Sequence, residues 1–396
     1  MSNLKKLESF LYGSYQGLIF VLFLPLFFIL MPFLWLDKFL RKYFLKKPRI
    51  LWAPMPIISI HYNSKADRLF GYKSDTLVYK NYIITESSLF DYNLEKIFKN
   101  RIFYLFVPHL LVFFWAVLKY DIFHFFYNQG LFFPSGIAHF LELPILKLMG
   151  KKTIICAYGS DVRTEKITRN LGKYHFYFDY SHEEILKEIG PDLKIEKRVN
   201  HVLKYATVSI SAYDMIEYTP GSKNDVFYWS VDTKEWKPVY ETSNENIVIL
   251  HATNQKKYKG TRFLIEAIKR LKKEGYQIEY IFIEKTTNKE ARELYKKADI
   301  IAEQFLGGSH GYFAIEAMAL GKPVLSYLAK KEYLPSWAEC PIVNTSLDNL
   351  YDNLVMLIKD KNLRQELGKK GREYVEKVYS LEKVGQRFDA IYKSIW

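Results

Sequence analysis

A glycine-rich loop that leads into a short apolar helix carries the most specific chemistry in this sequence. The loop Gly307–Gly311 precedes an apolar run that holds one carboxylate, Glu316, and that ends at Gly321–Pro323. A loop of this kind leaves backbone N–H groups free at the positive end of a helix, which suits an anion such as a diphosphate. Glu316, one to two turns inside the helix, could accept hydrogen bonds from ribose hydroxyls. The structural alternative is a plain loop and a core helix with a solvated glutamate.

The stretch Glu303–Tyr327 resembles the donor site of the retaining GT-B glycosyltransferases of family four. Their pattern is a glutamate, a Gly-aromatic-Gly turn, a few apolar residues and then Glu-Ala-Met-Ala-x-Gly-x-Pro-Val. The family's first glutamate, which contacts the transferred sugar, falls on Gly308 here, and His310 takes the aromatic position. This departure leaves the identity of the sugar open. The matching residues are Gly311, Glu316, Ala317, Met318, Ala319, Gly321, Pro323 and Val324.

The fold class that the resemblance implies is α/β, of the GT-B type, with two Rossmann-like domains whose parallel sheets face a cleft. The alternation of strands and helices along the chain independently favours parallel sheets. We expect an N-terminal membrane segment with its basic flank at 1–47 and an acceptor domain at 48–240. A nucleotide-sugar donor domain would follow at 241–379, with a terminal helix at 380–396 crossing back to the first domain.

A second element of the resemblance follows the predicted strand Lys152–Ala157. Tyr158–Arg163 resembles the family's His-Gly-Ser-Asp-hydrophobic-Arg sequence, with tyrosine in place of histidine. Ligands of open α/β sheets bind at the carboxyl ends of the strands. The alternative is that Asp161 caps a helix and pairs with Arg163 on the surface. The residues predicted on the acceptor side of the cleft are Asn63, His124, Tyr158, Gly159, Ser160 and Arg163, although Asn63 equally fits a helix cap.

The donor side includes Lys259, because Lys259-Gly260 matches the family dipeptide whose lysine contacts the diphosphate. The family's preceding arginine is replaced by Thr253, so Lys256 or Lys257 would supply that charge. The alternative is a solvated lysine face. The predicted catalytic residues are Lys259, Asp161 and His310, and the predicted nucleotide-sugar contacts are Glu316, Gly307, Gly308, Ser309, Gly311, Tyr312, Phe313, Lys256 and Lys257.

Neither a metal nor another cofactor is expected. The sequence contains no Asp-x-Asp, the metal–nucleotide signature of the other major transferase fold. In the front-face mechanism that the resemblance implies, the donor phosphate takes the acceptor proton, and a nucleoside diphosphate sugar is the only co-substrate. The two cysteines, Cys156 and Cys340, lie far apart and suggest neither a disulfide framework nor a zinc site, which fits a reducing compartment.

The N-terminal region predicts a membrane anchor. Gly17–Leu36 is uncharged over about twenty residues, the length that crosses a hydrocarbon core. Pro25 and Pro32 leave a re-entrant hairpin open, and a buried core helix is the structural alternative. A second apolar stretch, Phe103–Val117, fits either a buried helix or one that dips into the bilayer. A basic cluster then places the remaining chain on the cytoplasmic face of the plasma or inner membrane: Lys38, Arg41, Lys42, Lys46, Lys47 and Arg49.

The net charge of +14 predicts an anionic partner, either a nucleotide or a membrane surface. Nucleic acid is not expected, because the lysines are spread over many segments. Together these features favour a retaining hexosyltransferase that acts on a lipid-linked or glycan acceptor of capsule, lipopolysaccharide or glycolipid synthesis. A catalytically degenerate scaffold and a sugar-nucleotide 2-epimerase remain alternatives. A dehydrogenase is disfavoured, since no Gly-x-Gly-x-x-Gly follows the first strand.

Overall fold

The computed structural model describes residues 18, 21, 25, 28–37, 39–44, 47–82, 85–97, 108–132, 138–242 and 245–396. Its first sheet has six strands, all paired in parallel. These are β1 (Arg49–Trp52), β2 (Lys73–Val78), β3 (Tyr92–Asn93), β4 (Ile122–Phe126), β5 (Lys152–Cys156) and β6 (Val208–Ile210). Their spatial order is β3-β2-β1-β4-β5-β6.

The second sheet has five parallel strands. These are β7 (Ile247–Ala252), β8 (Ile278–Ile283), β9 (Ile300–Ala302), β10 (Val324–Ser326) and β11 (Val343–Asn344), in the order β11-β10-β9-β7-β8. The central strands are nearly continuous apolar runs, and β4 is buried along its whole length. Parallel strands covered by helices on both faces have this composition.

Helices connect the strands as parallel crossovers require. The sequence predicts helical structure over Leu347–Tyr379, and the structure has two helices there. The first helix ends at Asp360, whose carboxylate accepts the Leu363 N–H at 2.8 Å and caps the second helix. The helices are Ile58–Leu69, Leu94–Ile97, Pro108–Lys119, Glu142–Leu148, Glu165–Arg169, His182–Glu188, Asp192–Tyr205, Lys256–Lys259, Thr261–Lys273, Asn288–Lys297, Tyr312–Ala319, Leu350–Lys359, Lys361–Val378 and Leu381–Ile395.

The C-terminal helix (Leu381–Ile395) packs against the helix Ile58–Leu69 of the first domain. The Tyr392 hydroxyl donates to buried Asp67 at 2.9 Å, and the Tyr72 hydroxyl donates to Asp389 at 2.8 Å. Gly385 permits the close approach, since a Cβ there would lie 2.7 Å from the Phe70 ring. The last helix of the chain therefore completes the core of the first sheet.

Part of the predicted membrane run Gly17–Leu36 lies outside the described residues (17, 19, 20, 22–24, 26 and 27), as do Lys38, Lys46 and residues 103–107. Within the part of the chain that the structure describes, no helix has the length and apolar character needed to cross a membrane. The described part of the second apolar stretch forms the helix Pro108–Lys119, which buries Phe113 and Val117 but leaves Leu111 and Leu118 about half exposed.

Residues 28–37 and 39–44 are helical, and this N-terminal helix has an unusual polarity. Its Arg41 turns toward the protein, where it donates to the Leu118 carbonyl at 3.0 Å and lies 3.5 Å from Asp121. Large apolar side chains instead face outward, with Phe33 and Phe39 each about two-thirds exposed. The other exposed apolar side chains of this helix are Phe28, Ile29, Trp35, Leu36, Leu40, Tyr43 and Phe44.

Candidate functional site

A cavity of about 300 Å³ lies between the two domains, at the carboxyl ends of strands from both sheets. This is the edge at which open α/β sheets bind ligands, because the loops that leave the strands there are free of the crossover helices. The first domain contributes Ile57, Ile58, Ser59, Thr85, Tyr158 and Trp229. The second contributes Ala252, Thr253, Asn254, Ile283, Lys285, Thr286, Asn288, Ala291, Tyr295, Tyr312, Phe313 and Glu316.

Glu316 is the acidic group of this cavity and sits on the motif helix (Tyr312–Ala319). Its side chain is 5% exposed, and its Oε1 atom has no hydrogen-bond partner among the residues that the structure describes. Burial raises the pKa of Glu316 to about 8, although Arg292 and Lys259 act to lower it. Buried polar atoms are normally bonded, so an unpaired oxygen on a cavity wall is what a ligand contact requires.

Glu303, a carboxylate that was not among the predicted site residues, joins Lys259 to the start of the motif helix. Lys259 and this helix start are the groups predicted to hold a diphosphate. Lys259 Nζ lies 2.5 Å from Glu303 Oε1, and Glu303 Oε2 accepts the Gly311 N–H at 3.1 Å and the Ser326 hydroxyl at 3.0 Å. Glu303 is fully buried, whereas the Lys259 side chain is 17% exposed. The position of Glu303 directly after the apolar strand β9 (Ile300–Ala302) was the signal that could have identified it.

The glycines of the loop are required by packing. A Cβ on Gly307 would lie 2.1 Å from the Phe176 ring of the first domain, and one on Gly311 would lie 2.6 Å from Glu303 Oε1. Gly308 has a φ of +70°, which favours glycine. Ser309 donates to Asp214 of the first domain at 2.9 Å. Gly307 and Ser309 therefore contact the other domain, and the described lining of the cavity on this stretch begins at Tyr312.

Arg163 forms a buried polar connection between the domains. Its guanidinium binds Asp214 through Nε at 2.6 Å and Nη2 at 2.7 Å, a bidentate pair. Its Nη1 donates to the Tyr258 hydroxyl of the second domain at 2.6 Å. With Ser309 also bonded to Asp214, this Arg163–Asp214 bridge contains groups from both domains. Arg163 thus pairs with Asp214, not with Asp161.

Asp161 is fully buried and organises the loop around itself. It accepts backbone N–H groups from Gly159 at 2.8 Å, Tyr158 at 3.0 Å and Tyr127 at 3.3 Å. Burial nevertheless raises its pKa, against the effect of these hydrogen bonds and of nearby Arg198. The structure therefore places Asp161 behind the cavity wall, where it fixes the loop that carries Tyr158. The neighbouring residue Ser160 is exposed to solvent.

Three predicted residues lie in the protein interior and outside the cavity lining. His310 is buried, with Nε2 3.0 Å from the Tyr379 hydroxyl, and burial lowers its pKa. His124 stacks on Trp52 with a 3.6 Å separation of ring centroids, and burial lowers its pKa as well. Asn63 lies inside a helix rather than at its cap, and it accepts the Ser230 hydroxyl at 2.6 Å.

Two predicted lysines are at the exposed rim of the second domain. Lys256 lies 2.9 Å from Glu284, and Lys257 pairs with Glu184 of the first domain. About half of each side chain is exposed, and neither lysine is among the described residues that line the interdomain cavity.

Of the predicted residues, the cavity unites four: Tyr158, Tyr312, Phe313 and Glu316. Its other polar lining residues were missed. Ser59 and Thr85 come from the first domain, and five others follow strands β7 and β8 or begin the next helix: Thr253, Asn254, Lys285, Thr286 and Asn288. In the described ranges, no cluster of His, Cys, Asp or Glu side chains is suited to hold a metal ion.

The structure resembles solved structures that share its two-sheet arrangement. Sucrose-phosphate synthase from Thermosynechococcus elongatus superposes with a TM-score of 0.59 at 15% identity, covering 88% of this chain and 99% of that one. HepE from Anabaena in complex with UDP gives 0.54 at 12% identity, covering 87% and 100%. An alpha-glucosyltransferase in complex with UDP and a 13-mer DNA gives 0.57 at 12%, covering 87% and 100%.

No protein-family model and no curated protein matches the sequence. The structural likeness therefore identifies the fold. The chain has the GT-B fold of glycosyltransferases, with two parallel α/β sheets whose carboxyl ends face one cleft.

Proposed function

We propose that this protein is a glycosyltransferase that binds a nucleoside diphosphate sugar in the interdomain cavity. The observation that carries the proposal is Glu316, a buried carboxyl group on the wall of that cavity whose Oε1 has no partner among the described residues. A volume of about 300 Å³ is at the lower end of the range of small-molecule sites. The UDP complexes of HepE and of the alpha-glucosyltransferase support uracil as the base of the donor nucleotide.

The donor would lie along the motif helix. Glu316 would bind the ribose hydroxyls, and the backbone N–H groups in the first turn, at Tyr312 and Phe313, would face the diphosphate. Lys259, whose Nζ lies 5.9 Å from the Phe313 ring centroid, would add positive charge while Glu303 holds it in place. Charge that develops on the leaving diphosphate is thereby neutralised at a site shielded from water.

Donor binding would also change the protonation of Glu316. With a pKa of about 8, the group is mostly protonated at neutral pH. Two ribose hydroxyl donors would favour the carboxylate and lower this pKa. We therefore expect nucleotide binding to release a proton from Glu316 near pH 7.

The residues of the cavity support a retaining reaction without a protein base. Among the described residues that line it, Glu316 is the one carboxylic acid, and none is a histidine. In the proposed step the acceptor oxygen bonds to the sugar C1, the bond from C1 to the phosphate oxygen breaks, and the departing phosphate takes the acceptor proton. A 2-epimerase would need paired acid and base groups, which this lining does not offer.

The outward apolar face of the N-terminal helix supports work at a membrane surface. Its inward-facing Arg41 and its exposed Phe33 and Phe39 reverse the usual polarity of a surface helix. Such a helix is suited to lie in the interface of a bilayer. With the net charge of +14, it supports placement on the cytoplasmic face of the plasma membrane and a lipid-linked acceptor of cell-envelope glycan synthesis.

The test is thermal-shift binding of UDP, GDP, CDP, ADP and NAD to the full chain and to Glu316→Ala. The matched control is Glu279→Gln, an exposed glutamate on β8 of the same domain. We expect one diphosphate to stabilise the parent and the control but not Glu316→Ala. The same nucleotide then names the donor for transfer assays. Stabilisation of all three proteins, or of none, would contradict the proposal, and the second outcome would favour a non-catalytic scaffold.

A further inference from the structure

The first domain contains a second cavity, of about 370 Å³, that the proposed donor site does not use. It lies between the ends of β4 and β5, the helix Asp192–Tyr205 and the turn that precedes the helix Glu142–Leu148. Its floor is apolar and consists of Phe125, Phe126, Phe140, Leu143, Ile155 and Val202.

One face of the helix Asp192–Tyr205 forms the polar side of this cavity. Lys194, Lys197, Arg198 and His201 line it. Their spacing of three and four residues places them on a single helical face. Lysines on an exposed face are often only solvated, but two features separate this face from that case. Arg198 is partly buried and donates to the Asp161 carbonyl at 2.8 Å. His201 Nε2 is buried and has no hydrogen-bond partner among the described residues.

The charge of the cavity is positive. Its three cationic side chains are opposed by one carboxylate of the lining, Glu142. That carboxylate is already engaged by backbone donors, accepting the Leu131 N–H at 2.6 Å and the Phe132 N–H at 3.2 Å. Burial lowers the pKa of His201, so its neutral imidazole contributes a hydrogen-bonding atom rather than a charge.

This cavity adjoins the interdomain cleft. Phe126 of its floor contacts Tyr158 edge to face, with ring centroids 5.6 Å apart, and Tyr158 lines the first cavity. Arg198 is bonded to the loop that carries Tyr158. A molecule held in the second cavity would therefore lie behind one aromatic layer of the proposed reaction site.

We infer that this second cavity binds an acidic amphiphile. The apolar chain would lie over the phenylalanine-rich floor, and a phosphate or carboxylate group would be bound by Lys194, Lys197 and Arg198. Apolar burial supplies the affinity for the chain, and the cations select an acidic head group. On the proposed function, on which this part rests, the cavity is an acceptor subsite and the acceptor is an acidic lipid.

The test measures binding of dodecyl phosphate, dodecanoate and the neutral dodecyl maltoside by isothermal titration, below their micellar concentrations. The variant is Lys194→Gln/Lys197→Gln, two exposed positions that do not affect the core. The control is Lys187→Gln/Lys204→Gln, exposed lysines outside the lining. His201→Trp, which fills the cavity, is a second variant.

We expect an acidic probe to bind in a one-to-one complex, and the double lining variant to weaken it about tenfold, as loss of charge-assisted contacts predicts. The control should change binding less than twofold, and His201→Trp should abolish it. The ratio of phosphate to carboxylate affinity identifies the head group. Equal binding of dodecyl maltoside, or equal loss in lining and control variants, would overturn the inference.

Binding of UDP to the same variants separates the two proposals. If UDP binds and the acidic probe does not, the inference fails and the proposed function stands. If the acidic probe binds to the parent and to Glu316→Ala while UDP binds to neither, the second cavity is an amphiphile site in a protein that is not the proposed transferase.

Discussion

Asp161 and Glu316 are both buried carboxyl groups in stretches that match transferase patterns, yet the structure uses them in opposite ways. Asp161 in the first domain is surrounded by three backbone N–H donors. Glu316 in the second domain keeps an oxygen without a partner among the described residues and faces a cavity. A residue that matches a sequence pattern is available to a ligand only where the fold leaves its hydrogen-bonding atoms without protein partners.

The same contrast separates the two walls of the cleft. On the second domain, Tyr312, Phe313 and Glu316 of the motif helix line the cavity directly. On the first domain, His124 and Asn63 are bonded internally. The side of the cleft predicted to hold the donor therefore keeps its motif residues at the cavity, whereas His124 and Asn63, predicted on the acceptor side, are bonded within the protein.

Asp214→Ala tests the buried carboxylates that already have protein partners, and it should have the largest effect. This change leaves the Arg163 guanidinium buried without its partner and also removes the acceptor of Ser309. We expect a loss of about 3–5 kcal/mol in the free energy of unfolding, since removing one member of a buried pair strands the other charge. Denaturant titration measures it. Loss of less than about 1 kcal/mol would show that water replaces the carboxylate and that the bridge is open in solution.

The buried Glu316 carboxyl group, whose Oε1 has no partner among the described residues, predicts a specific pH dependence for Glu316→Gln. The folded-state pKa of about 8 lies above the ordinary value of 4.5, so the folded protein binds this proton more tightly than the unfolded chain. The associated stability is complete below about pH 4.5 and is lost as pH rises toward 8. Gln carries no such proton, and the free energy of unfolding of the variant relative to the parent should therefore increase between pH 5 and 8, by an amount on the order of a few kcal/mol, which denaturant titration at each pH measures.

A pH-independent difference would mean that Glu316 is ionised in the folded protein, as it would be if it were already paired. Glu279→Gln, a change at an exposed glutamate of the same domain, is again the matched control.

Asp161→Asn sharpens the contrast with an equally conservative change. Asn keeps one acceptor oxygen but turns an NH₂ group toward backbone donors, so at least one N–H loses its partner. We expect a loss of about 1–3 kcal/mol in the free energy of unfolding at neutral pH, which denaturant titration measures. UDP affinity of the variant that remains folded should change little. A large affinity loss with unchanged stability would instead place Asp161 in contact with substrate.

The smallest effects separate the two kinds of lysine. Lys259→Gln should weaken UDP binding about tenfold, as removal of one charge-assisted contact to phosphate predicts, but should leave uridine binding unchanged. Lys256→Gln, whose pair with Glu284 is exposed, should change UDP affinity less than twofold and stability by less than about 0.5 kcal/mol. Equal effects of the two changes would remove the special role of Lys259.

Much of the second domain was predictable because its signals are local. The sequence predicts a strand at Asn246–Ala252 and a helix at Arg262–Glu274, and the structure has them at Ile247–Ala252 and Thr261–Lys273. Hydrophobic periodicity and the cap glycine at Gly260 lie within each segment. The motif helix and the location of Glu316 on it were predictable for the same reason.

Several predicted site residues that lie outside the cavity lining have hydrogen-bond partners far along the chain. His124 bonds to Tyr392, 268 positions away, and Asn63 to Ser230, 167 positions away. Lys259 is held by Glu303, 44 positions away. No short-range pattern encodes such pairings, since they depend on how two sheets and a returning helix meet. Sequence therefore named the chemical groups but could not show which were already engaged.

The packing of the C-terminal helix has a consequence for how the protein is made. Trp52, Asp67 and His124 emerge early from the ribosome, but the hydroxyl that joins Asp67 to His124 belongs to Tyr392. The second sheet, in contrast, draws its strands from residues 247–344 and can assemble before that tyrosine is synthesised. Domains usually fold in the order of translation. Here the half that is translated first is completed last, by a side chain of the C-terminal helix.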